Sequence, residues 1–541
     1  MFPGISWQIS ALDNSLQGVK VVRFWNRSQT MGLAAVIVAG SVLLSRFMGL
    51  IRDKVISYWF GASIDSDLYF TAFVLPDFIN YLLAGAYFSI TLIPILARLF
   101  KDDEQDGWSF FSASLLWVLL AIATLTIAGE VFAVQIVPYL APGFSTQDQS
   151  RLITFVRIIL PAQVFFLTGA CFSAILYLRK QFVVPSLSPI IYNGGIILTG
   201  LVFKNRGIEG FCWGVLVGSF FGNFLLPLLA VKYGGGMSLK FRLWHREMRS
   251  FILTALPLML GQSIVVLDEQ LVRIFGSLAG MGVVSHINYA RRLMMVPVGI
   301  VGQAAAVASY PFMAELFARG KIDEFFATIR MALKNTFFFV FLCSFGMASV
   351  AEPIVGLIFQ QGRFGPSDTV ATARLLQLYL VSVPIWCFQQ ILGRAFYAVG
   401  DTLSPVVIGT LTTLLVLPLF FLGAIHLGGE GVVMASVLGF LFYSVILSLW
   451  WVKRYKGYKI FEGITEKLLR YAIAGLVSLI FAKGFYFVMS SYISLSDHSF
   501  ISYLFSGLVS GSFFCIVWLL SAMLLFKGEM LEFAKGCFRK N

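Results

Sequence analysis

The segment Ser45-Arg-Phe-Met-Gly-Leu-Ile-Arg-Asp-Lys54 sets two arginines and a carboxylate inside a long apolar run, residues 31–60. Thirty helical residues at 1.5 Å rise would reach about 45 Å, more than the roughly 30 Å hydrocarbon core of a bilayer. Arg46 would then lie well inside a membrane, with Arg52 about 9 Å further along. A charge at the centre of a spanning helix costs about 2.5–3.5 kcal/mol, so it normally faces protein or a watery cavity. One reading is a pair of arginines snorkelling to the interface. The other is a cationic site for an anion that must enter the membrane. Arginine suits a diphosphate, because its planar fork bonds bidentately and stays charged. On a straight helix Arg46 and Arg52 point about 120° apart, so convergence on one ligand needs a bend, which Gly49 permits.

Other charges accompany them. Asp53, Lys54, Asp65, Asp67 and Asp77 lie in or beside the first two apolar runs. Asp268, Glu269 and Arg273 lie in the seventh, and Asn288-Tyr-Ala-Arg-Arg-Leu-Met294 in the eighth. Arg291 and Arg292 sit about 100° apart on a helix, so at least one is expected to face the space between the two halves of the chain. Acidic neighbours such as Asp53 or Asp67 either pair the arginines structurally or hold one until an anion displaces it. Isolated carboxylates like those of the second run more often order loops than perform acid–base chemistry. Enzyme signatures are missing: there is no Gly-rich phosphate loop ending in Lys-Ser/Thr. His245, His286, His426 and His498 show no metal-ligand spacing, and the six cysteines form no CxxC pair. Five cysteines lie in apolar runs and read as small core residues, so neither metal, disulfide framework nor cofactor is expected.

The elements that must position these groups are membrane spans. The 541 residues are 58% hydrophobic and 12% charged, with mean hydropathy +0.84. Soluble domains carry about 25% charged residues, and a soluble core could not hide so much apolar surface. Runs of spanning length occur at 31–60, 68–99, 108–134, 151–178, 182–203, 208–232, 248–276, 282–314, 332–358, 369–399, 403–427, 430–453, 467–491 and 500–526, which makes fourteen helices. The net charge of +13 is not a nucleic-acid footprint, because most Lys and Arg fall in loops on one side, the positive-inside pattern. Both termini are therefore expected in the cytoplasm, with residues 1–30 as an N-terminal tail and 527–541 as a basic tail. The first thirty residues lack a short apolar region followed by a small-residue cleavage site, so no removable signal peptide is read there. Met31 is an equally good start.

The chain also repeats itself. Asp53-Lys-Val-Ile-Ser-Tyr-Trp-Phe-Gly61 matches Asp268-Glu-Gln-Leu-Val-Arg-Ile-Phe-Gly276 as D-x-x-h-x-x-h-F-G, with h apolar, at an offset of 215. Pro94-Ile-Leu-Ala-Arg-Leu-Phe100 matches Pro311-Phe-Met-Ala-Glu-Leu-Phe317 at 217, and Tyr177 to Pro189 loosely matches Tyr397 to Pro405. Six helices per repeat preserve orientation, giving two pseudo-symmetric six-helix lobes, 31–232 and 248–453, with the site between them. The last two helices, 467–526, lie outside the duplication.

Four motifs bring a resemblance: Ser45-Arg46-x-x-Gly49-Leu-x-Arg52-Asp53, Ser66-Asp67-x-x-Phe70-x-Ala72-Phe73-x-x-Pro76, Arg292-Leu-Met, and Arg394-Ala-Phe-Tyr-Ala-Val-Gly-Asp401-Thr-x-x-Pro405. From about residue 31 to 526 the chain resembles the MurJ (MviN) family, lipid II flippases of the multidrug/oligosaccharidyl-lipid/polysaccharide exporter superfamily. The resemblance implies two lobes around a cationic cavity open alternately to either side of the bacterial inner membrane. Helices thirteen and fourteen would form a groove for the polyprenyl tail. The family's cavity arginines fall on Arg46, Arg52 and Arg292 and its second-helix aspartate on Asp67, while Arg291 stands where relatives carry an acidic residue. The family's P-N-x-x-R-x-x-x-x-E-G-A-F-S stretch reads Pro76-Asp-Phe-Ile-Asn-Tyr-Leu-Leu-Ala-Gly-Ala-Tyr-Phe-Ser89, with Asn80 and Tyr81 at the arginine and Gly85 at the glutamate.

The substrate this implies is an undecaprenyl-diphosphate-linked disaccharide-pentapeptide, moved with membrane potential or an ion gradient as the drive. Expected partners are that lipid, other membrane lipids and the cell-wall synthesis machinery, with no nucleic acid. Rival readings are a flippase for another polyprenyl-diphosphate glycan and a non-transporting cell-wall scaffold. A cation antiporter would want a net acidic cavity, and this one is net basic.

Overall fold

The computed structural model describes residues 31–83, 87–234, 237–260, 264–492 and 500–526. Among these residues the structure is helical, without strands. The order is α1 (Met31–Phe60), α2 (Ile64–Thr71), α3 (Val74–Leu83), α4 (Tyr87–Asp102), α5 (Glu104–Leu140), α6 (Thr146–Ile159), α7 (Ala162–Leu178) and α8 (Val183–Val202). Then come α9 (Glu209–Gly218), the π-helical turn Ser219–Leu225, α10 (Leu226–Tyr233), α11 (Met248–Leu260) and α12 (Ile264–Gly276). They are followed by α13 (Val283–Pro297), a second π-helical turn Val298–Gln303, α14 (Ala304–Ala318), α15 (Ile322–Ser349), α16 (Ala351–Phe359), α17 (Pro366–Ala398), α18 (Leu403–Tyr455), α19 (Ile464–Tyr492) and α20 (Phe500–Leu525).

Ten helical stretches among the described residues are long and apolar enough to cross a membrane. One of them, α18, contains Gly428 in a non-helical conformation and so holds two successive spans. The spans predicted at 31–60, 68–99 and 248–276 lie on α1, on α2 to α4 and on α11 to α12. The protein is an all-α polytopic membrane protein. The second span departs from the sequence reading by breaking after Thr71. Pro76 explains the break, since its ring would clash with the carbonyl of Ala72 if the helix ran on.

The chain divides into two compact units. The first holds residues up to Val55, Ala72–Leu140 and Thr146–Leu260; the second holds Ile56–Thr71, Ala141–Ser145 and everything from Gly261. In the first unit α8 packs on α9 and its π-helical continuation. Their close approach runs along Gly214, Gly218 and Gly222, spaced four apart. A Cβ on Gly218 would lie 2.4 Å from the Tyr192 carbonyl oxygen. Small residues at that spacing are how spanning helices bring backbones together where lipid offers no hydrophobic drive. An aromatic core of Trp108, Phe110, Phe111 and Phe172 fills the space between α5, α7 and α11.

In the second unit α17 packs against α13, α15 and α18, and α12 packs against α18. Trp386 and Phe440 meet at 4.7 Å between ring centres. Helices α19 and α20 pair with each other and lie on α15, where Phe338 meets Tyr471 at 5.8 Å. An open apolar groove of about 710 Å³ is lined by Val296, Ile300, Leu342, Met347, Leu508 and Phe514 among others. Its walls come from α13 with its π-helical turn, α15 and α20.

The two units carry the same turn. Between α8 and α9, Gly207 adopts φ 62°, ψ −141°; within α18, Gly428 adopts φ 58°, ψ −138°. Both conformations favour glycine. They stand in Gly207-Ile-Glu-Gly210 and Gly428-Gly-Glu-Gly431.

Candidate functional site

In the first unit α1 runs unbroken through Gly49, which leaves Arg46 and Arg52 about 120° apart around the helix. Arg46 is exposed on an otherwise apolar surface. Arg52 is 12% exposed, and its Nε and Nη2 donate to Asp53 Oδ1 at 3.0 and 2.9 Å. Nη1 donates to the Asn193 Oδ1 at 3.3 Å, while the Asn193 amide nitrogen donates to the Pro189 carbonyl at 2.8 Å. The second of these bonds turns the Asn193 oxygen toward Arg52. Asp53 is fully buried. A buried carboxylate needs a cation and hydrogen-bond donors, and here the preceding residue supplies both.

The second unit repeats the theme with different parts. Asp268 on α12 is 1% exposed and pairs with Arg291 of α13. The Arg291 guanidinium also lies 5.4 Å from the centre of the Trp386 ring, a cation–π contact that helps a charge tolerate burial. Beside it, Arg273 donates to Glu269 at 2.5 Å and to Gln270 at 3.3 Å, so α12 carries its own ion pair. Arg292 is half-buried.

Asp67 is fully buried at the start of α2. Its Oδ2 accepts from the Gly282 N–H at 2.6 Å, and its Oδ1 accepts from the Ser285 N–H at 2.8 Å and the Ser285 hydroxyl at 2.6 Å. The carboxylate therefore caps the N-terminus of α13 from a distant part of the chain, satisfying donors that no turn of the helix can reach. Nearby, Tyr289 donates to the Gly61 carbonyl at 3.4 Å and the Arg363 N–H to the Tyr58 carbonyl at 3.0 Å. Gly362, at φ 59°, makes that last approach possible: a Cβ there would meet the Tyr58 oxygen at 2.2 Å.

Of the five residues singled out in the sequence, the structure groups Arg46 and Arg52 on one helix of the first unit. Asp67, Arg291 and Arg292 fall in the second. Arg291 and Asp67 are held by protein partners, and Arg46 is exposed. Sequence reasoning missed Asn193, Gly282 and Ser285. Asn193 had a signal, an amide within an apolar run, but Gly282 and Ser285 are ordinary helix-start residues whose partner is more than two hundred positions away. His286 of α13 binds the Thr372 hydroxyl at 2.9 Å and Asp368 at 3.6 Å, a structural setting. The Gly-Asp-Thr-x-x-Pro motif is a helix start: Asp401 accepts from the Ser404 N–H and hydroxyl at 3.0 and 2.7 Å and from the Tyr455 hydroxyl at 2.9 Å. Burial works against its charge, yet these donors and Arg454 hold the carboxyl below the usual carboxylate range.

The family described as "Lipid II flippase MurJ" matches residues 56–506. A probable lipid II flippase MurJ of Buchnera aphidicola is 29% identical over 382 residues, 69% of this chain and 74% of the relative. One from Bdellovibrio bacteriovorus is 23% identical over 84% of this chain and 88% of its own. The lipid II flippase MurJ of Burkholderia cenocepacia is 27% identical over 69% and 74%. Among solved structures, a lipid II flippase MurJ in an inward closed conformation superposes with TM-score 0.72 at 19% identity, covering 92% of this chain and 100% of the other. An inward-facing multidrug resistance MATE family transporter of the MOP superfamily reaches 0.63 at 16% identity, over 80% and 99%. The backbone is thus shared widely among such transporters, while the match along the sequence is narrower. On that match, which covers most of its length, the chain belongs to the family of lipid II flippases called MurJ.

Proposed function

We propose that this protein carries lipid II, an undecaprenyl-diphosphate-linked disaccharide-pentapeptide, from the inner to the outer leaflet of the bacterial inner membrane by alternating access. The observation that carries the reading is Arg46, an exposed arginine on an apolar spanning helix six residues before a second arginine. A charge in a spanning helix normally faces protein or a watery cavity, and a watery cavity is where an anionic headgroup would meet it. Arg46, Arg52 and Arg292 bind the diphosphate while the polyprenyl tail stays in lipid along the apolar groove of the second unit. Arg52 reaches the substrate by exchange: Asp53 and Asn193 hold it until a phosphate oxygen takes their place. Asp67 and Arg291 act through position, the first by capping α13 and the second by neutralising Asp268.

Both termini lie in the cytoplasm, following the basic loops. The drive is the membrane potential or an ion gradient, without a cofactor. Moving one charge is worth about 2.3 kcal/mol per 100 mV, which favours outward passage of the anion and inward return of the empty cationic site. Cell-wall synthesis enzymes would receive the product on the outer face. Purified protein in liposomes should translocate lipid II, and Arg46→Ala should abolish this while leaving the protein folded by gel filtration. Normal flipping by that variant would sink the proposal. Rescue of a MurJ-depleted bacterium separates lipid II from another polyprenyl-diphosphate glycan, the reading that Asn80, Tyr81 and Gly85 leave open.

A further inference from the structure

Residues 237–247, in the linker between α10 and α11, form a strap outside any helix, with an unusual surface. Met237 packs on the aromatic core of the first unit at one end, and His245 and Met248 are buried at the other. Between these anchors Leu239, Phe241, Leu243 and Trp244 are exposed, Phe241 by 81%. Lys240, Arg242 and Arg246 are exposed among them, with Lys232 and Arg249 just outside. Leu239, Phe241 and Leu243 alternate with Lys240 and Arg242 along the strap, and Trp244 follows directly.

The strap is fastened to the first four turns of α5. The Lys240 N–H donates to the Ser109 neighbour Ser112 at 3.2 Å, Arg242 to the Ser109 hydroxyl at 2.7 Å, and the Trp117 indole to the Leu243 carbonyl at 2.6 Å. His245 Nδ1 accepts from the Glu247 N–H at 3.2 Å, so Nε2 carries the proton and donates to Asp106 at 3.1 Å. Arg246 donates to the other Asp106 oxygen at 2.9 Å. Trp117, itself exposed, meets Trp244 edge-on at 6.5 Å between ring centres.

These bonds fix the strap's height. Trp117 belongs to the apolar part of a spanning helix, so the strap lies where that helix leaves the hydrocarbon. Four large apolar side chains held there at an edge of the protein would cost free energy in water and gain it in lipid. Tryptophans at this level are typical of the membrane interface, and basic residues beside them attract anionic headgroups.

We propose that residues 239–249 form an interfacial binding surface for anionic phospholipid in the adjacent leaflet, Leu239, Phe241, Leu243 and Trp244 entering the acyl region and Lys240, Arg242, Arg246 and Arg249 meeting headgroup phosphates. The surface is separate from the arginines of α1 and needs no flipping for its test. An environment-sensitive fluorophore is attached at Phe241→Cys, with Cys343, Cys515 and Cys537 replaced by alanine. The protein is placed in vesicles of phosphatidylcholine alone or with increasing phosphatidylglycerol. Emission should shift to the blue and brighten as phosphatidylglycerol rises, and high salt should reverse the gain. Lys240→Gln and Arg249→Gln leave the bonds to α5 intact and should weaken the response roughly fivefold for each base removed. Water-like emission in both lipids overturns the proposal, by showing that the strap faces water or a soluble partner. An apolar signal equal in both lipids also overturns it, because the headgroup charge would then play no part.

Discussion

Asp53 and Asp268 occupy the same place in the duplicated segment, and both are buried against an arginine, yet the arginines come from different sources. In the first unit the cation is the preceding residue on α1, and it keeps 12% of its side chain exposed and an amide as second partner. In the second unit residue 267 is leucine, and the cation arrives from the next helix, buried and stacked on Trp386. The carboxylate is the constant part of the design and the arginine the variable part. An arginine beside its carboxylate can let go and return. One that bridges two helices is part of the packing.

Breaking the bridging pair should therefore have the largest effect. Arg291→Met leaves Asp268 buried without its cation, a loss of about 3–5 kcal/mol. The variant should melt well below the parent in detergent, and Asp268→Leu with Arg291→Met should recover most of the difference. A single variant that melts like the parent would mean that the second pair is no more structural than the first. Arg52→Met is expected to cost less, about 1–3 kcal/mol for the carboxylate's lost partner, and to lose flipping while staying folded. If its stability loss equals that of Arg291→Met, the contrast between the two units fails. The smallest effects should come from the turns. Gly207→Ala and Gly428→Ala each force a side chain into a left-handed conformation, at about 1–2 kcal/mol. Gly207 has open space around its Cβ position, and the nearest atom to that of Gly428 is 3.8 Å away. The two changes should thus lower the melting temperature alike, and unequal shifts would show that the turns are differently loaded.

Much of the fold was legible because hydropathy and length fix spans almost alone. The runs at 31–60 and 369–399 reappear as α1 and α17 within a few residues. The break in the second span was less legible, since Pro76 near a helix start is ordinarily harmless. For the site, composition pointed correctly to charged residues in apolar runs as the costly ones, and Arg52, Asp53, Asp268 and Arg291 were all visible. Their pairing was not. Asp268 and Arg291 are on different helices, and the cap that Asp67 gives to α13 joins residues whose spacing carries no pattern. Periodicity tells which face a residue shares with its neighbours along one helix; it says nothing about which remote helix end that face will meet.

The matching turns at Gly207 and Gly428 have a bearing on ancestry. Backbone conformations that differ by a few degrees and lie 221 positions apart mark homologous points of the two halves. Asp53 and Asp268 mark another such point, 215 positions apart. Between these two markers the second half is therefore six residues longer than the first, 160 positions against 154. Both halves hold the buried carboxylate and the turn across that difference in length. What the two halves have in common at these points is a charge and a bend, with the Pro94 to Phe100 and Pro311 to Phe317 match lying between them.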